Sequence, residues 1–442
     1  MDLPSAGQPP SPEIDYLYSL RRGETRLGLE STRRLLRALG HPERGIPLVH
    51  VAGTNGKGST TALAAAMLQA GGTRVGRFTS PHVLRVEERV SVDGVPIDEE
   101  TFRRRVRDLR PHIDRAGASF FEAMTAIAVL HFRAAGVEAA VCEVGLGGRL
   151  DATNALRASV SVLTGVGHDH EAILGRGLRA VCREKLAIAK RGVPFYAALD
   201  RPDLARLARE HCGATRAPLY LVPASAARIL GMDLHAGSEI ELNLGPPQRV
   251  RCAFLGVHQA RNVALAALAV TDLQKRGLVE HAPDVAAGAA RAFLPGRFQV
   301  LRAGGNGRVV VLDVGHNPEA LHATLDVLEA VLPGARPVVV LGLLRDKKLD
   351  GVGERLARLS EQVVLTAPQV DRAWDPVAAR GLFAAAAPCV VEPRVEAAVA
   401  RAFETGTGPL LVLGSHYLVG EALPALAARL GTTPELLLQP GR

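Results

Sequence analysis

The stretch Leu48-Val49-His50-Val51-Ala52-Gly53-Thr54-Asn55-Gly56-Lys57-Gly58-Ser59-Thr60 combines the residue types needed to hold a phosphate. An apolar run that reads as a buried strand breaks into a glycine loop and then into the alanine-rich run Thr61–Ala70, which reads as a helix. Glycines let backbone N–H groups turn toward an anion, the helix N-terminus adds the positive end of its dipole, and the Lys57 ammonium can reach terminal phosphates. The usual P-loop has a glycine five residues before Gly56 and Ser or Thr directly after the lysine. Here those positions are Val51 and Gly58, so the loop is a variant. Thr54, Asn55, Gly56, Lys57, Gly58, Ser59 and Thr60 are its candidate nucleotide contacts.

Other candidates stand where apolar runs end. Glu143 closes Val137–Val144, where an isolated carboxylate is costly to bury unless paired or metal-bound. Beside a nucleotide triphosphate, Mg²⁺ held by Glu143 and a hydroxyl such as Ser80 or Ser59 is economical, because this ion takes few protein oxygens plus phosphate and water; backbone donors are the plainer alternative. His168-Asp169-His170 follows the run Ser159–Val166 and lacks thiolate companions, which favours a hard metal with one His ligand, or simple hydrogen bonding, over zinc. Asp313 and His316 stand at another strand end, with Pro318 opening a helix. Asn262 offers an amide able to read an adenine edge, although a solvated helix start accounts for it equally well. Among 53 basic residues only Lys57, Lys185, Lys190, Lys275, Lys347 and Lys348 are lysine. In so arginine-biased a chain a retained lysine suggests that an amine is required, since guanidinium is never deprotonated. Lys185 is therefore the next position of interest after Lys57.

The elements that must position these residues follow from the patterning. Residues 1–13 are rich in Pro, Ser and Gly and read as a frayed, disordered tail. Residues 14–296 read as an ATP-binding domain with a mostly parallel sheet, carrying a β-rich segment with a hairpin near Gly245-Pro246-Pro247. After Leu294-Pro295-Gly296-Arg297 the pattern restarts. Regular strand–helix alternation over 297–442 specifies a smaller, doubly wound, Rossmann-like domain. The fold class is thus α/β, an N-terminal P-loop-type ATPase domain joined to a C-terminal doubly wound domain.

The 442 residues suit two or three domains, and 47% hydrophobic residues describe a globular chain. No window reaches the ~18 apolar residues of a membrane span and the start lacks a signal region, so a cytoplasmic protein without a membrane partner is expected. Five scattered cysteines without C-x-x-C argue against a disulfide framework or thiolate zinc site. A net charge of +8 is compatible with nucleic acid, but the basic residues are dispersed and aromatics are few, which suits polyanionic small substrates better.

Taken in order, the motifs resemble those of folylpolyglutamate synthases, often also active as dihydrofolate synthases, in the Mur ligase superfamily. They are Gly53–Ser59, Thr79-Ser80-Pro81-His82, Glu87-Glu88-Arg89-Val90, Phe121-Glu122-Ala123-Met124-Thr125-Ala126, Glu143–Asn154, Asp169-His170, Arg183-Glu184-Lys185, His258-Gln259 with Asn262, Pro295-Gly296-Arg297, Asp313 with His316-Asn317-Pro318, and Gly414-Ser415. The resemblance covers nearly all of residues 30–430. It implies an ATP- and Mg²⁺-dependent ligase, acting as a monomer, that joins L-glutamate to a folate carboxylate through an acyl phosphate. Whether dihydropteroate is also a substrate stays open. By position it implies Lys57, Lys185 and His316 as catalytic, Ser80 and Glu143 as ligands of a first Mg²⁺, His170 as ligand of a second, and a carbamate on Lys185. Asn262 and Arg297 would bind nucleotide across the cleft, with Asp313 near the nucleotide. His168, Val314-Gly315 and His416 depart from the common pattern and bear on packing and substrate preference.

Two other readings are weaker. A cell-wall Mur ligase resembles Gly-Thr-Asn-Gly-Lys-Thr and carries a separate UDP-binding domain; Gly58 and the Thr79–His82 loop speak against it. A P-loop NTPase acting on nucleic acid would need Ser or Thr after Lys57 and a concentrated basic face.

Overall fold

The computed structural model describes residues 11–20, 28–302, 307–383 and 388–439. Of the expected tail, residues 1–10 lie outside these. Residues 11–13 are not frayed: Ser11 caps the helix Pro12–Ser19, accepting from Ile14 N at 3.2 Å. That helix is anchored by Ile14 and Leu17, both fully buried, and burial of this size outweighs the local Pro/Ser composition.

The first sheet has eight strands: β1 (Leu48–Ala52), β2 (Val75–Phe78), β3 (Val90–Val92), β4 (Val95–Pro96), β5 (Ala139–Glu143), β6 (Val160–Leu163), β7 (Phe195–Ala197) and β8 (Leu219–Leu221), in the order β4-β3-β2-β5-β1-β6-β7-β8. All are parallel except the β3–β4 hairpin, which pairs antiparallel to β2. The hairpin turns on Asp93 and Gly94 with φ of 50° and 79°, the left-handed pair that matches strand twist. β1 is buried along its whole length and lies between β5 and β6, with Val51 opposite Glu143 and Ala52 opposite Leu163. This register brings the carboxyl ends of three strands to one line. The helix Lys57–Ala70 packs against Val257–Lys275, and their alanines let the two backbones approach closely.

A second, antiparallel sheet consists of β9 (Ala227–Asp233), β10 (Gly237–Leu242) and β11 (Gln248–Cys252), with the expected hairpin at residues 243–247. The helix Pro202–Thr215, read from sequence only as mixed signals, precedes it.

The third sheet contains β12 (Gln299–Arg302), β13 (Val309–Asp313), β14 (Val338–Leu341), β15 (Gln362–Leu365), β16 (Cys389–Val391) and β17 (Leu410–Leu413), ordered β12-β13-β17-β14-β15-β16. Five strands are parallel and fully wound by helices, as expected. β12 was not anticipated: it is an antiparallel edge strand that leaves the Pro295–Arg297 linker and pairs with β13. Within this alternation one helix is short, Pro376–Arg380, capped by Asp375. Among the described residues no helix is long and apolar enough to cross a membrane.

Candidate active site

In open parallel sheets ligands bind beyond the carboxyl ends of strands, and a cavity of about 650 Å³ opens there between the first and third sheets. The glycine loop leaving β1 forms one wall. Gly56, at φ 84°, starts the helix, and a Cβ there would lie 2.6 Å from Asn262 Oδ1. A Cβ on Gly58 would lie 2.8 Å from Leu294 Cδ2 and 3.3 Å from Arg297 Nη2. A Ser or Thr after the lysine would therefore meet the Leu294 and Arg297 side chains of the linker, which would have to shift. Thr54 fastens the loop to the exit of β6: its N–H donates to Gly165 O at 3.0 Å, and its hydroxyl accepts from Gly167 N at 3.0 Å. Lys57 Nζ donates to Thr54 O at 3.1 Å, so the ammonium lies over its own loop.

Glu143, at the end of β5, is 4% exposed and lines the cavity. Its Oε2 accepts from Ser80 N at 3.0 Å. Burial pushes its pKa up, while Lys57, the Ser80 hydrogen bond, Arg297 and Arg89 pull it down. The backbone-donor alternative is therefore realised on one oxygen, and it brings Ser80 and Glu143 together. Arg297 reaches in, half-buried, from the other side of the cleft; desolvation lowers its pKa and Asp313 and Glu143 oppose this.

Lys185, on the helix Leu178–Leu186, is 4% exposed and donates from Nζ to Gly53 O at 2.8 Å. Burial, aided by Lys57, pushes its pKa down to about 7. Nearby, Asp169 is the hub of a charged cluster. Its Oδ1 accepts from Lys347 Nζ at 2.6 Å, its Oδ2 lies 3.5 Å from His316 Nε2, and His170 Nε2 is 3.7 Å from Oδ2. Burial alone would raise the Asp169 pKa, but His316, His170 and Lys347 hold it well below the usual carboxylate range. Burial lowers the His170 pKa to about 4, leaving a neutral imidazole at pH 7.

Thr54, Asn55, Gly56, Lys57, Gly58, Ser59, Ser80, Glu143, His170, Lys185, Asn262, Arg297, Asp313 and His316 all line the one cavity. Thr60 does not: it is fully buried in the first helical turn and its hydroxyl has no hydrogen-bond partner among the described residues. Asn262 donates to Gln259 Oε1 at 2.9 Å and lies against Gly56, so its side chain packs on the phosphate loop. Asp313 is fully engaged: it accepts from Phe298 N at 2.8 Å, Gly315 N at 2.7 Å and Thr324 Oγ1 at 3.0 Å. It thereby clamps the linker to the end of β13. Among the described residues no group of three or more His, Cys, Asp or Glu forms a metal cluster. His168 pairs with Glu171 at 2.5 Å on the exposed side.

Among the cavity residues not selected from sequence as functional are Lys347 and His416. Lys347 could have been found by lysine scarcity, which already pointed to Lys57 and Lys185. His416 was noted only as a departure from pattern; it heads the helix His416–Leu430, 6.4 Å from the His316 ring, and burial holds its pKa well below the ordinary value.

Residues 51–270 match the Mur ligase middle domain and residues 296–416 the Mur ligase glutamate ligase domain. The dihydrofolate synthase/folylpolyglutamate synthase of Bacillus subtilis is 33% identical over 347 residues, covering 76% of this chain and 80% of that protein. The folylpolyglutamate synthase of Mycobacterium tuberculosis, solved with ADP and AMPPCP, superimposes with a TM-score of 0.83 at 28% identity, covering 94% of this chain and 98% of the other. The bifunctional folylpolyglutamate synthase/dihydrofolate synthase of Yersinia pestis, solved with AMPPNP and Mn, gives 0.79 at 27% identity, covering 96% and 100%. With a cleft between two α/β sheets, a lysine-bearing glycine loop and these relatives, the chain belongs to the folylpolyglutamate synthase/dihydrofolate synthase family of Mur ligases.

Proposed function

We propose that the cavity between the two sheets is the active site of an ATP-dependent ligase that joins the amino group of L-glutamate to a folate carboxylate. The observation that carries the reading is the meeting, in one cavity, of Lys57, Ser80, Glu143 and Lys185 from the first domain with Arg297 and His316 from the second. Solved relatives hold ATP analogues, a divalent metal, L-glutamate and DHPP. The division into 14–296 and 297–442 is proposed as that between nucleotide-binding and closing domains.

The folate carboxylate attacks the γ-phosphate to give an acyl phosphate and ADP; the glutamate amine then adds to the acyl carbon and phosphate leaves. Phosphoryl transfer asks chiefly for positioning and charge neutralisation. Lys57 supplies a cation over the loop, and the loop leads into the N-terminus of the helix Lys57–Ala70, where an anion is stabilised. Arg297, half-buried beside the Gly58 position, adds a second cation from the far side of the cleft.

A divalent ion fits the donor set, because Ser80 and Glu143 offer two hard oxygens held together by the Ser80 N–H, and His170 is neutral and able to ligate. Ser80 and Glu143 would hold one Mg²⁺ and His170 a second. Such ions neutralise the phosphate charge during transfer. The lowered pKa of Lys185 supports a carbamate on Nζ, since only a neutral amine adds to carbon dioxide. Both walls of the cavity come from one chain, so the proposed unit is the monomer, working on small molecules in the cytoplasm.

Incubation with ATP, Mg²⁺ and L-glutamate, with tetrahydrofolate and dihydropteroate in parallel, tests the reading. A product one glutamate longer, with stoichiometric ADP, is expected from tetrahydrofolate, and the second arm decides whether dihydrofolate is also made. Absence of both products overturns the proposal.

A further inference from the structure

Asn55 lies in the glycine loop of one domain, yet its side chain is held by the other. Its Oδ1 accepts from Asn317 Nδ2 at 2.9 Å, and its Nδ2 donates to Glu319 Oε2 at 3.1 Å and faces Asn317 Oδ1 at 3.4 Å. Asn317 is at the same time the N-cap of the helix Pro318–Val331, accepting from Ala320 N at 3.0 Å, and is 3% exposed. The loop side is equally constrained. Asn55 O accepts from Thr164 Oγ1 at 2.6 Å, and a Cβ on Gly167 would lie 2.5 Å from Glu319 Oε2, so Glu319 packs directly on the segment leaving β6. His316 immediately precedes Asn317 and turns its Nε2 toward Asp169 of the first domain.

We propose that Asn55 is a positioning residue whose side chain couples phosphate occupancy of the glycine loop to docking of the second domain, through the amide pair with Asn317 and the hydrogen bond to Glu319. The inference rests on the reading of the cleft as an ATP-dependent ligase site. The backbone of Asn55 belongs to the cradle and is ordered when an anion seats there. Its side chain then fixes the cap of the Pro318–Val331 helix, and with it the residue that carries His316 into the cavity. The amide pair is directional, each side chain offering both a donor and an acceptor to the other.

The test compares Asn55→Ala, Glu319→Ala, their double variant and Asn317→Asp. The last keeps an acceptor for the helix cap but replaces the amide donor to Asn55. Readouts are the ADP dissociation constant by calorimetry, kcat for glutamate addition at saturating substrate, and energy transfer between dyes at the exposed positions Val95 and Val377, one in each domain. Loss of the Asn55 side-chain hydrogen bonds is expected to lower kcat about tenfold, with ADP affinity changed less than about threefold. The double variant is expected to be no slower than the slower single one, and nucleotide is expected to lose its effect on the dye distance. Asn317→Asp is expected to lose kcat comparably while keeping the thermal midpoint of the parent. Weakening of ADP binding by Asn55→Ala as large as the fall in kcat would make the side chain a nucleotide ligand and overturn the proposal. Additive losses in the double variant, or unchanged nucleotide-dependent closure, would also overturn it. Wild-type turnover, measured alongside, separates the two levels: no turnover fails the ligase reading, whereas turnover with closure insensitive to Asn55 fails the coupling alone.

Discussion

Replacing Lys185 by arginine keeps a positive charge and removes an amine that can lose its proton. Lys185 is 4% exposed, donates to Gly53 O at 2.8 Å, and has its pKa pushed from 10.5 to about 7 by burial and by Lys57. At pH 7 about half of these side chains are neutral, against about one in three thousand for an unshifted lysine, a difference on the order of 5 kcal/mol. The neutral amine is the form that adds to carbon dioxide, so the site enriches the reactive species about a thousandfold over free lysine. Guanidinium stays charged throughout this range and brings a larger head beside Lys57. Lys185→Arg is therefore expected to lower kcat by at least about a hundredfold. Steady-state phosphate release with ATP, tetrahydrofolate and L-glutamate measures it, in carbon-dioxide-stripped buffer and again with bicarbonate restored. The parent enzyme is expected to lose activity on stripping and regain it, and the variant to ignore both. Near-normal kcat in Lys185→Arg, or a parent indifferent to bicarbonate, refutes the reasoning. The stability sign follows from the same shift. Between about pH 7 and 10.5 the unfolded chain binds the proton that the folded chain has released, so in stripped buffer stability rises with pH across that window and Lys185→Met flattens the slope. Urea titrations at pH 7 and pH 9 read this directly.

Lys57→Ala removes the ammonium over the phosphate loop and is expected to raise the barrier by roughly 3 kcal/mol, read as kcat/KM for ATP; an unchanged value removes Lys57 from the mechanism. Gly58→Thr restores the common P-loop order but drives a Cβ into Leu294 and Arg297, so it is expected to destabilise by about 1–3 kcal/mol and raise KM for ATP. Tighter ATP binding in that variant would contradict the steric account. Lys347→Met leaves the half-buried Asp169 without its 2.6 Å partner and is expected to cost about 1–2 kcal/mol of stability by thermal denaturation. A loss below about 0.5 kcal/mol would mean that His316 and His170 suffice to hold Asp169.

The candidate chemistry was legible because it sits where local pattern changes: Lys57 after a strand, Glu143 at the end of an apolar run, Asp313 and His316 before a helix-opening proline. Each strand end is written in a few contiguous residues, and parallel topology sends all of them to one side. The limits were equally physical. The Pro12–Ser19 helix contradicted its tail-like composition because Ile14 and Leu17 find a core that residues 1–20 do not encode. β12 has no periodic signature of its own and exists because β13 offers it an edge. Lysine scarcity could mark Lys347, but its partner Asp169, 178 residues away and 2.6 Å distant, was set by the fold.

By itself, then, the sequence determined the α/β class, the glycine loop and its lysine, and most of the residues that reach the cleft, since these depend on local periodicity and on spacing along the chain. Tertiary structure decided what each of them does there. It tied Asp313 to the linker at Phe298, set Asn262 against Gly56, placed Leu294 and Arg297 beside Gly58, and joined Asn55 to Asn317 across 262 positions. Hydrogen bonds and close packing act over a few ångströms, and only the folded chain places residues so distant in sequence within that range.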